Sequence, residues 1–217
     1  MTTAGAAETH PLVLFGGTFD PVHEAHLRCA RAVSDQFDHC PVYLLPNAVP
    51  PHRTQPHTSG EHRRAMLKLA CVDDPRLRVD DRELRRTGPS WTLDTLREYR
   101  AEIGDRPLIF LLGADSYAQL HHWRDWRHFP DYCHLAVAPR PGAPGPTPSV
   151  EEAFPPARKP AELLQSPAGR VLLLEGPELD IAATHVRTAL QQGSHMDTRI
   201  PPAVLDYIRR YGLYTRA

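Results

Sequence analysis

Two histidines and a pair of glycines lie close together near the amino terminus and have the chemistry to bind an anion. Residues 15–26 read Phe-Gly-Gly-Thr-Phe-Asp-Pro-Val-His-Glu-Ala-His, which places His23 and His26 shortly after Gly16 and Gly17. Adjacent glycines let backbone amides approach a phosphate, and two imidazoles at one helix start can point at the same anion. The spacing favours phosphate binding over a plain tight turn. It also favours it over a metal site, for which no further ligand stands at a convincing spacing.

This segment lies where a strand is expected to pass into a helix. Residues 12–15 form a short apolar run typical of a buried strand, and after the motif Leu27, Ala30, Val33 and Phe37 recur at helical spacing. In a parallel sheet such a crossover binds phosphates, because free backbone N–H groups and the helix dipole favour anions.

Apolar runs alternate with helical patterns along the rest of the chain. Further strands are predicted at residues 42–45, 77–79, 108–112, 134–138 and 171–174, and helices at residues 60–71, from Ser90 onward and within 150–164. This order predicts an α/β fold, a Rossmann-like doubly wound parallel sheet with helices on both faces. Right-handed crossovers then bring the carboxyl ends of the strands to one edge, where ligands bind.

Length and composition limit the class of protein. The 217 residues suit one domain, predicted over residues 11–217 with a small helical part at its carboxyl end. Residues 1–10 are expected to be a disordered tail, and the Pro- and Gly-rich residues 139–148 an exposed loop. The net charge of −1 argues against general affinity for nucleic acids or anionic membranes, and no apolar run approaches the roughly 20 residues of a membrane span. Four widely spaced cysteines indicate reduced thiols in a cytoplasmic protein. Monomer and homodimer both remain open.

Five later segments complete a pattern. They read Pro-Asn-Ala-Val-Pro-Pro-His-Arg at 46–53, Gly-Pro-Ser-Trp-Thr-Leu-Asp-Thr-Leu at 88–96, Gly-Ala-Asp at 113–115 with Trp123 and Trp126 after it, Ile-Ala-Ala-Thr-His-Val-Arg at 181–187, and Ile-Pro-Pro with Gly-Leu-Tyr between 200 and 214. With the Gly-Gly-Thr-Phe-Asp-Pro-Val-His-x-x-His motif they resemble, in order and over residues 12–214, the nucleotidylyltransferase superfamily. Within it they are similar to the bacterial nicotinate mononucleotide adenylyltransferases.

The resemblance implies a reaction of NAD biosynthesis. Such enzymes join nicotinate mononucleotide to ATP and release pyrophosphate, by direct in-line attack without a covalent intermediate. The main obstacle is repulsion between two polyanions, so positioning and charge stabilisation are expected to dominate. The implied cofactor is Mg²⁺ carried by the ATP phosphates, with no metal site of the protein's own.

The resemblance also implies an ATP site. The amides of the glycine loop and the two imidazoles would hold the phosphates; these residues are Gly16, Gly17, Thr18, Phe19, His23 and His26. Thr184 would cap a helix and face phosphate, while Arg187, one turn on, would clamp the β- and γ-phosphates. An ordinary capping threonine and a surface arginine are the alternatives. Gly113 and Asp115 would complete the site at a strand end.

For the mononucleotide, the resemblance implies a phosphate contact by His52 and Arg53, and a backbone amide of Thr92 on the nicotinate carboxylate. Trp123 would stack on the pyridine ring with Trp91 as the neighbouring wall, and core packing is the alternative for both tryptophans. Asp115 would accept a hydrogen bond from a ribose or amide group, with helix capping as its alternative.

The chain departs from the family pattern at two places. Ala25 replaces a glycine before His26, which we expect to be tolerated, and Ala182 and Ala183 replace two serines. A lost hydrogen bond to a charged partner costs roughly 1.5–3 kcal/mol, so weaker ATP binding or slower turnover is expected. Rival hypotheses are a pantetheine-phosphate adenylyltransferase, an enzyme preferring nicotinamide mononucleotide, and a non-catalytic nucleotide sensor.

Overall fold

The computed structural model describes residues 10–48, 56–175, 181–192 and 199–215. Seven strands form one parallel sheet: β1 (Leu12–Gly17), β2 (Val42–Pro46), β3 (Leu77–Val79), β4 (Leu108–Gly113), β5 (His134–Ala138), β6 (Pro156–Ala157) and β7 (Val171–Leu173). The helices in these ranges are α1 (Glu24–Gln36), α2 (Gly60–Cys71), α3 (Arg82–Arg85), α4 (Thr92–Ile103), α5 (Ala114–Ala118), α6 (Phe129–Tyr132), α7 (Pro148–Ala153), α8 (Ala183–Gln191) and α9 (Pro202–Arg210).

The strand order β3-β2-β1-β4-β5-β7-β6 confirms the doubly wound fold. The chain runs outward from β1 to β3 and then returns to β4 on the other side of β1, so the order reverses between β1 and β4. Ligands bind at such a switch point, outside the carboxyl ends of the strands. The register pairs Gly16 with Leu45 and Gly17 with Pro46, which puts the glycines at that edge.

Two apolar cores cover the two faces of the sheet, because successive strand residues point to opposite sides. Val13 and Phe15 of β1 face the core that α1, α2, α8 and α9 complete, whereas Leu12 and Leu14 face the core under α4 to α7. The helical face predicted after the motif is buried on the first side.

Three predictions of secondary structure need correction. The helix expected from Ser90 begins at Thr92, with Trp91 as its N-cap. Residues 150–164 contain the end of α7, the two-residue strand β6 and a 3₁₀ helix at Pro160–Gln165 rather than one helix. The short helices α3, α5 and α6 were not predicted. Elements of two to five residues are too short to show a period, and β6 begins with a proline at the sheet edge.

Residues 139–147 form neither helix nor strand and are mostly exposed, and α7 begins at Pro148. The predicted tail lies outside the described residues except for His10, and the domain limits remain a prediction. None of the helices in the described ranges has the length and hydropathy needed to cross a membrane.

Candidate active site

His23 and His26 stack on each other at the start of α1. Their ring centroids are 3.7 Å apart with 24° between the planes. His26 Nδ1 accepts a hydrogen bond from the main-chain N–H of His23 at 3.3 Å. A neutral His26 must then carry its ring proton on Nε2, where it can donate to an anion. The structure thus brings together the two rings that the spacing predicted.

Both imidazoles are held in the neutral form. Burial lowers the pKa of His23 from 6.5 to about 4. Burial, and secondarily the neighbouring His23, lower the pKa of His26 well below its ordinary value. Only 3% of His23 is exposed, and its ring lies against the first turn of α1, with which it forms a reciprocal capping box through His26.

Gly16 and Gly17 are the last two residues of β1 and, with residues 18–20, form the segment called the glycine loop here. They have a packing role that the sequence did not predict. A Cβ atom on Gly16 would lie 2.9 Å from Cζ of Phe110, and one on Gly17 would lie 2.9 Å from Cζ of Phe19. Both rings are buried and have little room to move. The contact of the loop amides with phosphate stays a prediction.

Phe19 shapes the loop through an unusual backbone conformation. Its φ of +50° lies in the left-handed region, which non-glycine residues adopt mainly where the surroundings enforce it. The ring packs edge-on against Phe15 at 5.5 Å and against His26 at 5.0 Å. Phe19 therefore supports the histidine pair from the core side.

Asp20 ties the loop to two distant segments. Its Oδ2 accepts from the main-chain N–H of His57 at 2.7 Å, and its Oδ1 accepts from the hydroxyls of Thr58 at 2.8 Å and Tyr214 at 2.6 Å. The carboxylate is buried, so these donors satisfy a charge that would otherwise be costly. The motif is thereby joined to the start of α2 and to the carboxyl-terminal end of the chain.

Arg187 connects α8 to the same loop. Its Nη1 donates to the main-chain oxygen of Asp20 at 2.8 Å, and its Nη2 donates to Oγ1 of Thr184 at 3.3 Å. The guanidinium therefore lies beside Asp20, which is three residues before His23 in the chain.

The prediction that Thr184 caps α8 is wrong. The N-cap is Ala182, which has the extended backbone of a cap but no side chain to act as one, and Thr184 is the second helical residue. Its side chain is exposed. The first amides of α8 consequently have no side-chain cap and no intrahelical partner.

A buried arginine links the glycine loop to the segment after β2. Arg63 of α2 donates from Nη1 to the main-chain oxygen of Thr18 at 2.8 Å, and from Nη2 to those of Asn47 and Ala48 at 2.7 and 3.1 Å. Asn47 Nδ2 also donates to Oγ1 of Thr18 at 3.3 Å. His52 and Arg53, predicted in the continuation of this segment, lie outside the described residues.

The start of α4 joins the same group through Ser90. The main-chain N–H of Ala48 donates to its Oγ at 2.9 Å. Trp91 is the N-cap of α4 and Thr92 its first residue, so the amide of Thr92 is among those that lack an intrahelical partner. The guanidinium of Arg124 lies 4.8 Å from the Trp91 ring centroid.

Trp123 lies at the rim of the second core. Its ring packs edge-on against Phe110 at 6.3 Å and Phe129 at 6.2 Å, yet it stays partly exposed, whereas Trp126 is buried. Phe110 is also the ring that covers Gly16. Core packing therefore accounts for Trp126, and Trp123 has both a core contact and an open face.

Asp115 does not cap its helix, so that alternative is wrong. Gly113 is the N-cap of α5 and Asp115 the second helical residue, with its carboxylate paired to Arg140. Gly113 is exposed at the end of β4, at the same sheet edge as the glycine loop.

The sequence is similar to a known protein family and to known proteins. A family model described as cytidylyltransferase-like matches residues 14–189. A probable nicotinate-nucleotide adenylyltransferase of Pectobacterium atrosepticum is 44% identical over 205 residues, which cover 92% of this chain and 96% of the relative. One from Chromobacterium violaceum is 45% identical over 216 residues, which cover 93% and 97%. The chain belongs to the nicotinate-nucleotide adenylyltransferase family. It is therefore a nucleotidyltransferase.

Solved structures show the same fold for this adenylyltransferase. Plasmodium falciparum nicotinic acid mononucleotide adenylyltransferase complexed with NaAD has a TM-score of 0.74 at 19% identity, covering 94% of this chain and 96% of that one. The same enzyme complexed with APC has a TM-score of 0.73 at 18% identity, covering 94% and 97%.

Sequence reasoning missed Arg63 and the role of Asp20 in this adenylyltransferase. The sequence patterns assign no role to Asp20 or to Arg63. Arg63 does occupy a position on the apolar face of α2 beside Met66 and Leu67, all of them buried. A cation on the buried face of a helix is the signal that would have found it.

Two carboxylates near the site are engaged by other groups of the protein. Within the described ranges, no group of three or more His, Cys, Asp or Glu side chains is arranged to hold a metal. Both oxygens of Asp20 are engaged by neutral donors, and Asp115 is paired with Arg140.

Proposed function

We propose that the protein transfers the adenylyl group of ATP to nicotinate mononucleotide, giving nicotinic acid adenine dinucleotide and pyrophosphate. A phosphate oxygen of the mononucleotide bonds to the α-phosphorus of ATP, and the bond from that phosphorus to the bridging oxygen of pyrophosphate breaks. The attacking oxygen is already ionised, so no general base is needed. One observation carries the proposal: His23, His26 and Arg187 lie around a single glycine loop at the carboxyl end of β1.

The ATP phosphates are assigned to this loop and to α8. Neutral imidazole donors suit a phosphate that is partly neutralised by a metal. Because His26 accepts a hydrogen bond at Nδ1, its Nε2–H remains available to donate to the phosphate. Arg187 supplies a permanent positive charge for the leaving pyrophosphate. The uncapped amides at the start of α8 add donors where the helix dipole favours anions.

The mononucleotide is assigned to the other side of the loop. The free amide of Thr92 at the start of α4 suits a carboxylate, and the open face of Trp123, with Trp91 as wall, suits an aromatic ring. His52 and Arg53 are proposed for its phosphate on the family resemblance alone. We also propose that Gly113 and Asp115 contact the nucleotides at the end of β4.

Magnesium is proposed to arrive with ATP. When bound, Mg²⁺ neutralises charge on the phosphates, and it characteristically takes its ligands from substrate phosphates and water. The described residues form no cluster of three or more His, Cys, Asp or Glu side chains that could hold a metal, which fits that arrangement. The four cysteines are unpaired thiols, which supports a proposed location in the cytoplasm.

The test is pyrophosphate release from ATP and Mg²⁺ with nicotinate mononucleotide, nicotinamide mononucleotide or phosphopantetheine as acceptor. We expect turnover with the nicotinate form and a kcat/KM at least about tenfold lower for the amide, which lacks the charge that the α4 amides bind. Faster turnover with phosphopantetheine would assign the sister reaction. ATP binding without release for any acceptor would make the protein a nucleotide sensor.

A further inference from the structure

Arg63 is a fully buried cation, and the described residues provide it with no carboxylate partner. Only 1% of the residue is exposed, and no described carboxylate lies within ion-pair distance of its guanidinium. Burial lowers the pKa of Arg63, an effect opposed by the charge of Asp20. Its Nε has no hydrogen-bond partner among the described residues. An apolar side chain of similar volume would fill this space at less cost, so the geometry of its bonds is the feature to explain.

Those bonds cross between the two halves of the site. The guanidinium holds the carbonyl of Thr18 in the glycine loop and the carbonyls of Asn47 and Ala48 after β2. From Ala48 the contacts continue, because its N–H donates to Ser90 Oγ directly before α4. One planar group therefore sets the spacing between the loop assigned to ATP and the segments assigned to the mononucleotide.

The bonds also affect the donors of the loop. The Thr18 carbonyl and the Phe19 N–H belong to one peptide group, so a cationic donor on the oxygen polarises that N–H and strengthens it. The Asn47 carbonyl is coupled to the Ala48 N–H in the same way. The guanidinium thus acts on the glycine loop through a peptide group rather than by direct contact with a substrate.

We propose that Arg63 is a positioning residue that aligns the two substrates, so that its loss lowers kcat more than it weakens the binding of either nucleotide alone. The inference rests on the proposed function. A shift of about 1 Å between reacting groups can cost on the order of a hundredfold in rate, while each nucleotide keeps its own contacts.

The test compares Arg63→Lys with Arg64→Lys, its neighbour on α2. Lysine keeps the charge, but a single ammonium cannot span the carbonyls of two loops. Arg64 lies at the surface and pairs with Asp81 at 2.6 Å. For Arg63→Lys we expect kcat to fall at least about tenfold, with the Kd of ATP alone and of nicotinate mononucleotide alone, measured by calorimetry, within about threefold of the unmodified protein. For Arg64→Lys we expect kcat within about twofold.

A normal kcat in folded Arg63→Lys would overturn the inference, as would a Kd for one nucleotide that weakens as much as kcat/KM falls. If Arg63→Lys does not fold, Ser90→Ala decides the question, because it removes the last link of the same chain of contacts. It should lower kcat about threefold without changing either Kd, and an unchanged kcat would overturn the inference. Absence of turnover in the unmodified protein would contradict the proposed function, and is thus a distinguishable result.

Discussion

The glycine loop before α1 and the start of α8 are both assigned to phosphates, yet the molecule holds them differently. Asp20 in the loop accepts three hydrogen bonds from distant segments, and the buried Arg63 fixes the carbonyl of Thr18. The start of α8 has an exposed Thr184 and an N-cap without a capping side chain. Within the described part of the chain, Arg187 makes the polar contact between the start of α8 and the loop.

The difference indicates which of the two segments is preorganised. Donors fixed before the substrate arrives need no reorganisation during the reaction, which is how a site stabilises developing charge. Segments with few buried contacts open at low free-energy cost. We infer that the loop is built for the reacting α-phosphorus, and that α8 adjusts to the departing pyrophosphate.

Loss of His26 should have the largest effect. His26→Ala removes a fixed donor from the rigid half, and we expect kcat/KM for pyrophosphate release to fall about a hundredfold or more. The control is His128→Ala, because His128 is an exposed histidine whose polar contact is Asp131 at 3.6 Å. Equal rates in the two variants would remove the histidine pair from the site.

The burial of His23 should make folding sensitive to acid. Its pKa is about 4 in the folded protein and 6.5 ordinarily, so between these values the unfolded chain binds a proton that the folded chain does not. Stability from this group is complete above about pH 6.5 and falls as the pH drops, by about 3 kcal/mol at pH 4. Urea denaturation across this range should show a flatter pH dependence for His23→Asn, and a parallel curve would contradict the neutral buried form.

The sequence patterns predicted the glycine loop better than they predicted the residues that hold it in place. The motif is contiguous, and residues 12–15 and the helical face after it gave β1 and α1 directly. What holds the motif is non-local: Tyr214 is 194 residues from Asp20, and Arg63 is 45 residues from Thr18. Neither hydrophobic periodicity nor the spacing of residues in a motif indicates such long-range pairs. Thr184 was assigned to the N-cap because its type suits that position, but the backbone places the cap at Ala182.

Arg187→Lys should show how far ATP binding at α8 depends on the contact between Arg187 and the glycine loop. Lysine keeps the charge but cannot reach the Asp20 carbonyl, Thr184 and a phosphate together. We expect the KM for ATP to rise about tenfold and the KM for the mononucleotide to change little. Arg28→Lys, an exposed position on α1, serves as control. A rise confined to the KM for the mononucleotide would assign Arg187 to the mononucleotide instead of to ATP.

The smallest effect should come from giving α8 the cap it lacks. In Ala182→Ser the new hydroxyl can accept from the main-chain N–H of Thr184 or His185, and a serine at an N-cap stabilises a helix by about 1 kcal/mol relative to alanine. Hydrogen exchange of the α8 amides should slow by about fivefold, with or without a shift in global unfolding, since a loosely held segment opens separately. Ala183→Ser is the matched control, because its hydroxyl lies inside the helix and cannot cap it. The two variants also separate the roles of the missing serines: if Ala183→Ser lowers the KM for ATP and Ala182→Ser does not, the hydroxyl at 183 binds phosphate. Equal protection of α8 in both variants would show that the missing capping side chain does not loosen the start of the helix.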